Sequence, residues 1–136
     1  RALGTALERG AISWLAERAA TESPEPEERA LLVHYAGELG NWPDVLLDHA
    51  VSATDLDDLR ERIVAENRIF LEDTSSSARL RAHDWLASHG RAVPGFAPLA
   101  DRAERRAALE AFAQSRSAPA AENAAADAAS PGSEPR

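Results

Sequence analysis

The chain has 136 residues, a formal net charge of −8, and neither cysteine nor methionine. The missing cysteines exclude disulfides, thiolate catalysis and cysteine-ligated zinc, and no apolar run approaches the ~18 residues of a membrane span. All fifteen basic residues are arginine. Beside abundant alanine, this fits a GC-rich, bacterial-type gene.

Without a methionine, the chain reads as a fragment, a processed product or a trimmed piece of a larger protein, and no compartment is legible from it. Charge is uneven: residues 1–73 hold 7 Arg against 16 Asp/Glu, and residues 74–116 hold 7 Arg against 4. An acidic half therefore precedes a mildly basic one.

Helix signals dominate in chain order. From Ala2 to Ala20, the residues Leu3, Leu7, Ala11, Trp14 and Leu15 recur at three- and four-residue steps, the spacing of one helical stripe. Pro24 and Pro26 break the pattern, and Pro26 can open a second helix, with Glu27 and Glu28 suiting its positive end. That helix is expected to run to about Leu39, with Gly40 and Asn41 as stop signals. After Trp42-Pro43, the piece Val45 to Ala50 reads as one or two helical turns.

Thr54 and Asp57 have the spacing of a capping box and predict the start of a third helix, with Leu56, Leu59, Ile63 and Phe70 inward. Asp73 to Ser77 is a turn rich in capping groups. A fourth helix runs from it to about His89, carrying Ala78, Ala82, Trp85 and Leu86 on one side, and Gly90 ends it. Val93 to Leu99, with two prolines and a glycine, reads as an extended strap. In a polyproline-like path Val93, Phe96 and Leu99 point the same way and are expected to cover Leu59, Ile63, Phe70, Trp85 and Leu86. A fifth helix spans about Asp101 to Gln114, with Leu109 and Phe112 inward. From Ser117 onward the chain has no large apolar residue. It reads as a disordered tail in which the alanines allow transient helix.

The resulting expectation is an all-α fold: an irregular bundle or solenoid fragment of about five helices with an extended Pro/Gly strap. The helical domain spans residues 1–116 and the tail residues 117–136.

Within residues 55–90, the segment Asp73-Thr74-Ser75-Ser76-Ser77-Ala78-Arg79-Leu80-Arg81-Ala82-His83-Asp84-Trp85-Leu86 resembles the second half of a HEAT-type helical repeat. Asp73, Arg79, Ala82 and Leu86 stand where that family places a turn aspartate, an arginine, a small residue and a leucine. The resemblance implies a helical hairpin belonging to an array that binds other proteins. The Trp42-Pro43 insertion and the strap depart from a regular array, as terminal repeats often do.

Chemistry-bearing motifs are sparse. His34 and Glu38 have an i, i+4 spacing that can hold a metal, but His34, His49, His83 and His89 otherwise scatter, and HExxH is absent. Ser75, Ser76 and Ser77 sit at a helix start, where serine caps. There is no nucleophile elbow and no phosphate loop. Asp55, Asp57, Asp58 and Glu61 complement a helix start rather than form a calcium loop.

No catalytic residue, metal ligand or cofactor site is therefore assigned. Trp42, Arg79, Arg81, Arg102, Arg105 and Arg106 are the candidate protein contacts. The net charge argues against nucleic acid and leaves an anionic protein surface as the partner for an arginine patch. The leading expectation is a non-catalytic helical interaction or scaffolding module, its partner another protein or the rest of the parent chain. The alternatives are an accessory domain of an enzyme whose active site lies elsewhere, and a small metal-dependent hydrolase.

Overall fold

The computed structural model describes the backbone of residues 2–128 and the side chains of residues 8–117. Among the described residues the chain is all-α: α1 (Ala2–Thr21), α2 (Pro26–Ala36), a 3-10 turn (Gly37–Asn41), α3 (Pro43–Ser52), α4 (Leu56–Phe70), α5 (Ser76–Ser88) and α6 (Arg102–Ala128), with no strand. None of these helices is long and apolar enough to cross a membrane. Two compact units divide the chain, Arg1–Ala92 and Val93–Arg136.

The first unit is organised around the turn that interrupts what reads as one helix from Pro26 to Leu39. The helix stops at Ala36 because Gly37 adopts φ +60°, a conformation that only glycine takes at little cost. Gly37, Glu38, Leu39 and Gly40 are all buried, and the turn packs against α2, α3, α4 and α5. Close approach explains both glycines. A Cβ at Gly37 would stand 2.4 Å from Asn67 Oδ1 and 2.9 Å from the Trp85 side chain, and one at Gly40 would stand 2.5 Å from the Leu32 carbonyl.

Asn67 holds this turn. Its side chain is fully buried. Oδ1 accepts from the Glu38 amide at 3.0 Å, while Nδ2 donates to the carbonyls of Ala36 and Ile63 at 2.8 and 2.9 Å. The Glu38 N–H is a backbone group that the broken helix cannot satisfy itself. Leu32, Leu39, Leu46, Leu59, Ile63, Leu71 and Leu86 fill the surrounding core.

The helix ends follow local chemistry. The cap of α4 is Asp55 rather than Thr54. Asp55 Oδ1 accepts from the Asp58 amide at 2.8 Å, and the Asp58 carboxylate accepts from the Thr54 amide at 3.0 Å. The reciprocal pairing expected of Thr54 and Asp57 is thus shifted by one residue, with a carboxylate taking the place of a hydroxyl as the stronger acceptor. Ser75 caps α5. His89 closes it, with its Nδ1 2.8 Å from the Trp85 carbonyl and its ring stacked on Trp85 at 4.2 Å. Gly90 follows at φ +69°. From α1, Arg9 donates to the Ala53 and Thr54 carbonyls just past the C-terminal end of α3, where a cation is favoured.

The second unit begins with the strap, which is not extended. Phe96 N donates to the Val93 carbonyl and Ala100 N to the Ala97 carbonyl. Pro94 and Gly95 (φ +75°) occupy the central positions of the first turn, the type II pattern. Two successive turns replace the polyproline path. Val93 and Phe96 are buried, whereas Leu99 is 68% exposed, so the expected common direction fails for Leu99.

Asp101 caps α6 through the Glu104 amide. The helix continues past the expected end near Gln114 to Ala128, through an alanine-rich stretch that includes Pro119. Residues 129–136 of the expected tail lie outside the described residues.

Candidate interaction surface

The helices bring an exposed tryptophan and a half-buried phenylalanine together across α3 and α4. Trp42 precedes α3 in a conformation set by the following proline, and its indole stacks on Phe70 near the end of α4 with centroids 6.4 Å apart and planes 17° apart. It nevertheless remains 52% exposed. Farther along the same pair of helices, His49 Nε2 lies 3.0 Å from Glu66 Oε1, which fixes the register. Val45 lies between Trp42 and His49, one helical turn from the latter, and Ile69 lies one turn beyond Glu66. Both are exposed, Ile69 at 63%. Asp44, Asp48 and Glu72 are exposed carboxylates of the same segments, and Arg68 immediately precedes Ile69.

A concavity of about 310 Å³ lies among α1, α2, α4 and α5, with Ile12, Tyr35, Ile63, Val64 and Trp85 in its lining. Trp85 is fixed there by its Nε1–H, which donates to the His34 carbonyl at 3.1 Å. The rim charges bind one another. Arg60 bonds Glu8 at 2.8 Å, and Arg91 forms a two-pronged pair with Glu61 at 2.6 and 2.9 Å. That fork raises the Arg91 pKa above its already high ordinary value.

The arginines expected as contacts fare unevenly. Arg79 is buried, and its guanidinium donates to the Asp73 and Thr74 carbonyls at 2.8 and 3.0 Å, so it ties the turn before α5. Arg81 is half-exposed but engages the Glu38 carboxylate, which raises its pKa and supplies a cation to a buried acid that also accepts from Asn41. In the second unit, Arg105 donates to the Ala100 carbonyl at 2.6 Å, and Arg102 and Arg106 are exposed on α6. The structure therefore gives three of these six residues, Arg79, Arg81 and Arg105, internal partners, keeps Trp42 at the surface, and does not assemble an arginine patch in the first unit.

His34 and Glu38 do not share a site, because the helix ends between them and Glu38 turns inward. Among the described residues no three of His, Cys, Asp and Glu come together as metal ligands. The position between Asn41 and Pro43 singles out Trp42 but not its partner Phe70 or the exposed Val45 and Ile69 nearby in sequence. Phe70 had been assigned to the core, and Val45 and Ile69 stand one turn from polar positions. No protein-family model matches this chain, and no curated protein or solved structure is similar to it.

Proposed function

We propose that the chain is a non-catalytic helical interaction or scaffolding module that engages a protein partner through the α3/α4 face. The observation that carries this reading is the Trp42–Phe70 pair: a tryptophan half-open to water, flanked by exposed Val45 and Ile69. Half-open aromatics with aliphatic neighbours and a polar rim are the usual anatomy of a binding hot spot. The α4–α5 hairpin supports the comparison with HEAT-type repeats in one respect. Asp73 accepts from the Ser75 amide, Arg79 ties the same turn, and Ala82 and Leu86 are fully buried.

The test is affinity capture with the full chain beside Trp42→Ala and Ile69→Asp variants, each first checked for unchanged helicity. A stoichiometric partner held by the parent chain and lost from both variants is expected. Equal retention by all three would remove this face from the function.

A further inference from the structure

We propose that the concavity among α1, α2, α4 and α5 binds a small, neutral, planar aromatic molecule, a bicyclic ring bearing one hydrogen-bonding group. The site shares no residue with the α3/α4 face, and the interaction reading above does not bear on it.

Three helices build the site in the same way. Each contributes a polar residue at the mouth and, one helical turn away, a buried apolar residue at the floor. The pairs are Glu8 and Ile12 on α1, Arg60 and Val64 on α4, and His89 and Trp85 on α5. From α2 come His34 and Tyr35. Ile12, Ile63, Val64 and Trp85 are at most 7% exposed, so the floor is apolar and closed.

Ion pairs brace the mouth. Arg60 and Glu8 join α4 to α1 at 2.8 Å, and the fork of Arg91 on Glu61 joins the segment after α5 to α4. Both guanidiniums are thereby engaged, while the third carboxylate, Asp57, is 93% exposed to water. A charged ligand has to break one of these pairs or carry an unmatched charge onto the apolar floor. A neutral ligand does neither.

The lining also favours a ring. Trp85 and His89 stack at 4.2 Å, and His34 and Tyr35 meet edge to face at 5.4 Å. A planar ring extends such a set in the offset and edge-on geometries that aromatic groups prefer. The Tyr35 hydroxyl and the imidazoles are the hydrogen-bonding groups of the lining. A volume of about 310 Å³ stands at the low end of small-molecule pockets, roughly 300–1,000 Å³, which fits a bicyclic molecule and excludes a dinucleotide.

The test titrates four probes into the full chain and follows its backbone amide shifts. They are naphthol, naphthoate, naphthylmethylammonium and decahydronaphthol, the saturated counterpart of naphthol. Naphthol is expected to saturate a single site, with the largest shifts around Ile12, Tyr35, Val64 and Trp85. It should bind roughly tenfold or more tightly than either ion, and a few-fold more tightly than the saturated alcohol. Val64→Phe should abolish binding by filling the cavity. Tyr35→Ala should weaken it several-fold, and it keeps the test readable if Val64→Phe disturbs the fold. Glu61→Gln, which releases Arg91, should strengthen naphthoate several-fold and leave naphthol unchanged. Trp42→Ala should alter nothing.

Either ion binding as tightly as naphthol, or naphthoate indifferent to Glu61→Gln, overturns the neutral assignment. Equal binding of decahydronaphthol overturns the aromatic one. Absence of saturable binding, shifts confined to other residues, or full affinity in both Val64→Phe and Tyr35→Ala overturns the site itself.

Discussion

Asn67→Ala is the perturbation that probes the centre of the first unit most directly. The side chain makes three hydrogen bonds in a fully buried position. Of their partners, the Ile63 carbonyl lies within α4, where the helix ladder also uses it. Of the other two, the Glu38 N–H is left without a helical partner by the break at Gly37, while the Ala36 carbonyl, which opens the 3-10 turn, takes the amide as a second donor. Each unsatisfied buried group costs about 1–3 kcal/mol, and the emptied volume adds to that. The expected loss is therefore about 3–5 kcal/mol, a large share of the stability of a domain this size.

Urea unfolding followed by circular dichroism reads the loss as a lower midpoint at unchanged slope. A change below about 1 kcal/mol would refute the view that Asn67 holds the turn.

The isosteric Asn67→Asp variant separates geometry from chemistry. An ionised carboxylate can still accept from Glu38 N, but it faces the Ala36 and Ile63 carbonyls with a lone pair where a donor is needed. Only the protonated acid restores a donor. Its folded-state pKa must therefore lie above the unfolded value of ~3.9. A raised pKa gives stability that is fully present below the unfolded value and is lost as pH rises through the folded one. This variant should accordingly be most stable in mild acid, opposite to the trend expected of the parent chain. Stability of the variant that rises with pH would sink the argument.

Three further outcomes follow from the same structure. Gly37→Ala should cost about 2–4 kcal/mol from positive φ and the close approach to Asn67 and Trp85, and less in an Asn67→Ala background; strict additivity in a double-mutant cycle would exclude that contact. Asp58 should titrate below an ordinary aspartate because its carboxylate accepts the Thr54 amide and bonds Arg62. Its contribution is present above ~3.9 and disappears as pH falls through the lowered value, so an NMR midpoint at or above an ordinary aspartate's contradicts the cap. Phe96, 6% exposed, should cost about 3–5 kcal/mol on replacement by alanine, and a change within the ~0.5 kcal/mol of surface substitutions would show its ring to be dispensable.

What the sequence reveals here is local. The stripes of α3, α4 and α5 and the stop at Gly90 depend on residues three or four apart and on the conformational freedom of single residues, so they are legible by counting. The turn at Gly37–Asn41 is not. Its acceptor and donors come from Asn67, 29 residues from Glu38, and a glycine followed three residues later by another fits a frayed helix end as well as a buried turn. The one available signal was that Asn67, four residues after Ile63, occupies an apolar position of the α4 stripe. A polar residue there demands partners, although periodicity cannot say which.

The same limit explains why the candidate surface was only partly legible. Counting arginines suggests a cationic face, but a guanidinium is a forked donor that seeks fixed acceptors, and folding supplies many. Arg9 takes carbonyls beyond the end of α3, Arg79 the turn before α5, Arg81 the buried Glu38, Arg91 the fork of Glu61, and Arg18 the carboxylate of Glu28. Apart from Arg79, which reaches only five and six residues back, each long side chain crosses between elements that sequence spacing does not relate. Asp44 and Asp48, by contrast, project from α3, which holds no arginine, while Glu72 stands one helical turn after Arg68. Net formal charge is conserved on folding, but its sign at any one surface depends on which charges find internal partners. In the first unit that selection takes Arg79 and Arg81 inward, which is why the arginine count does not become the cationic contact face it suggested.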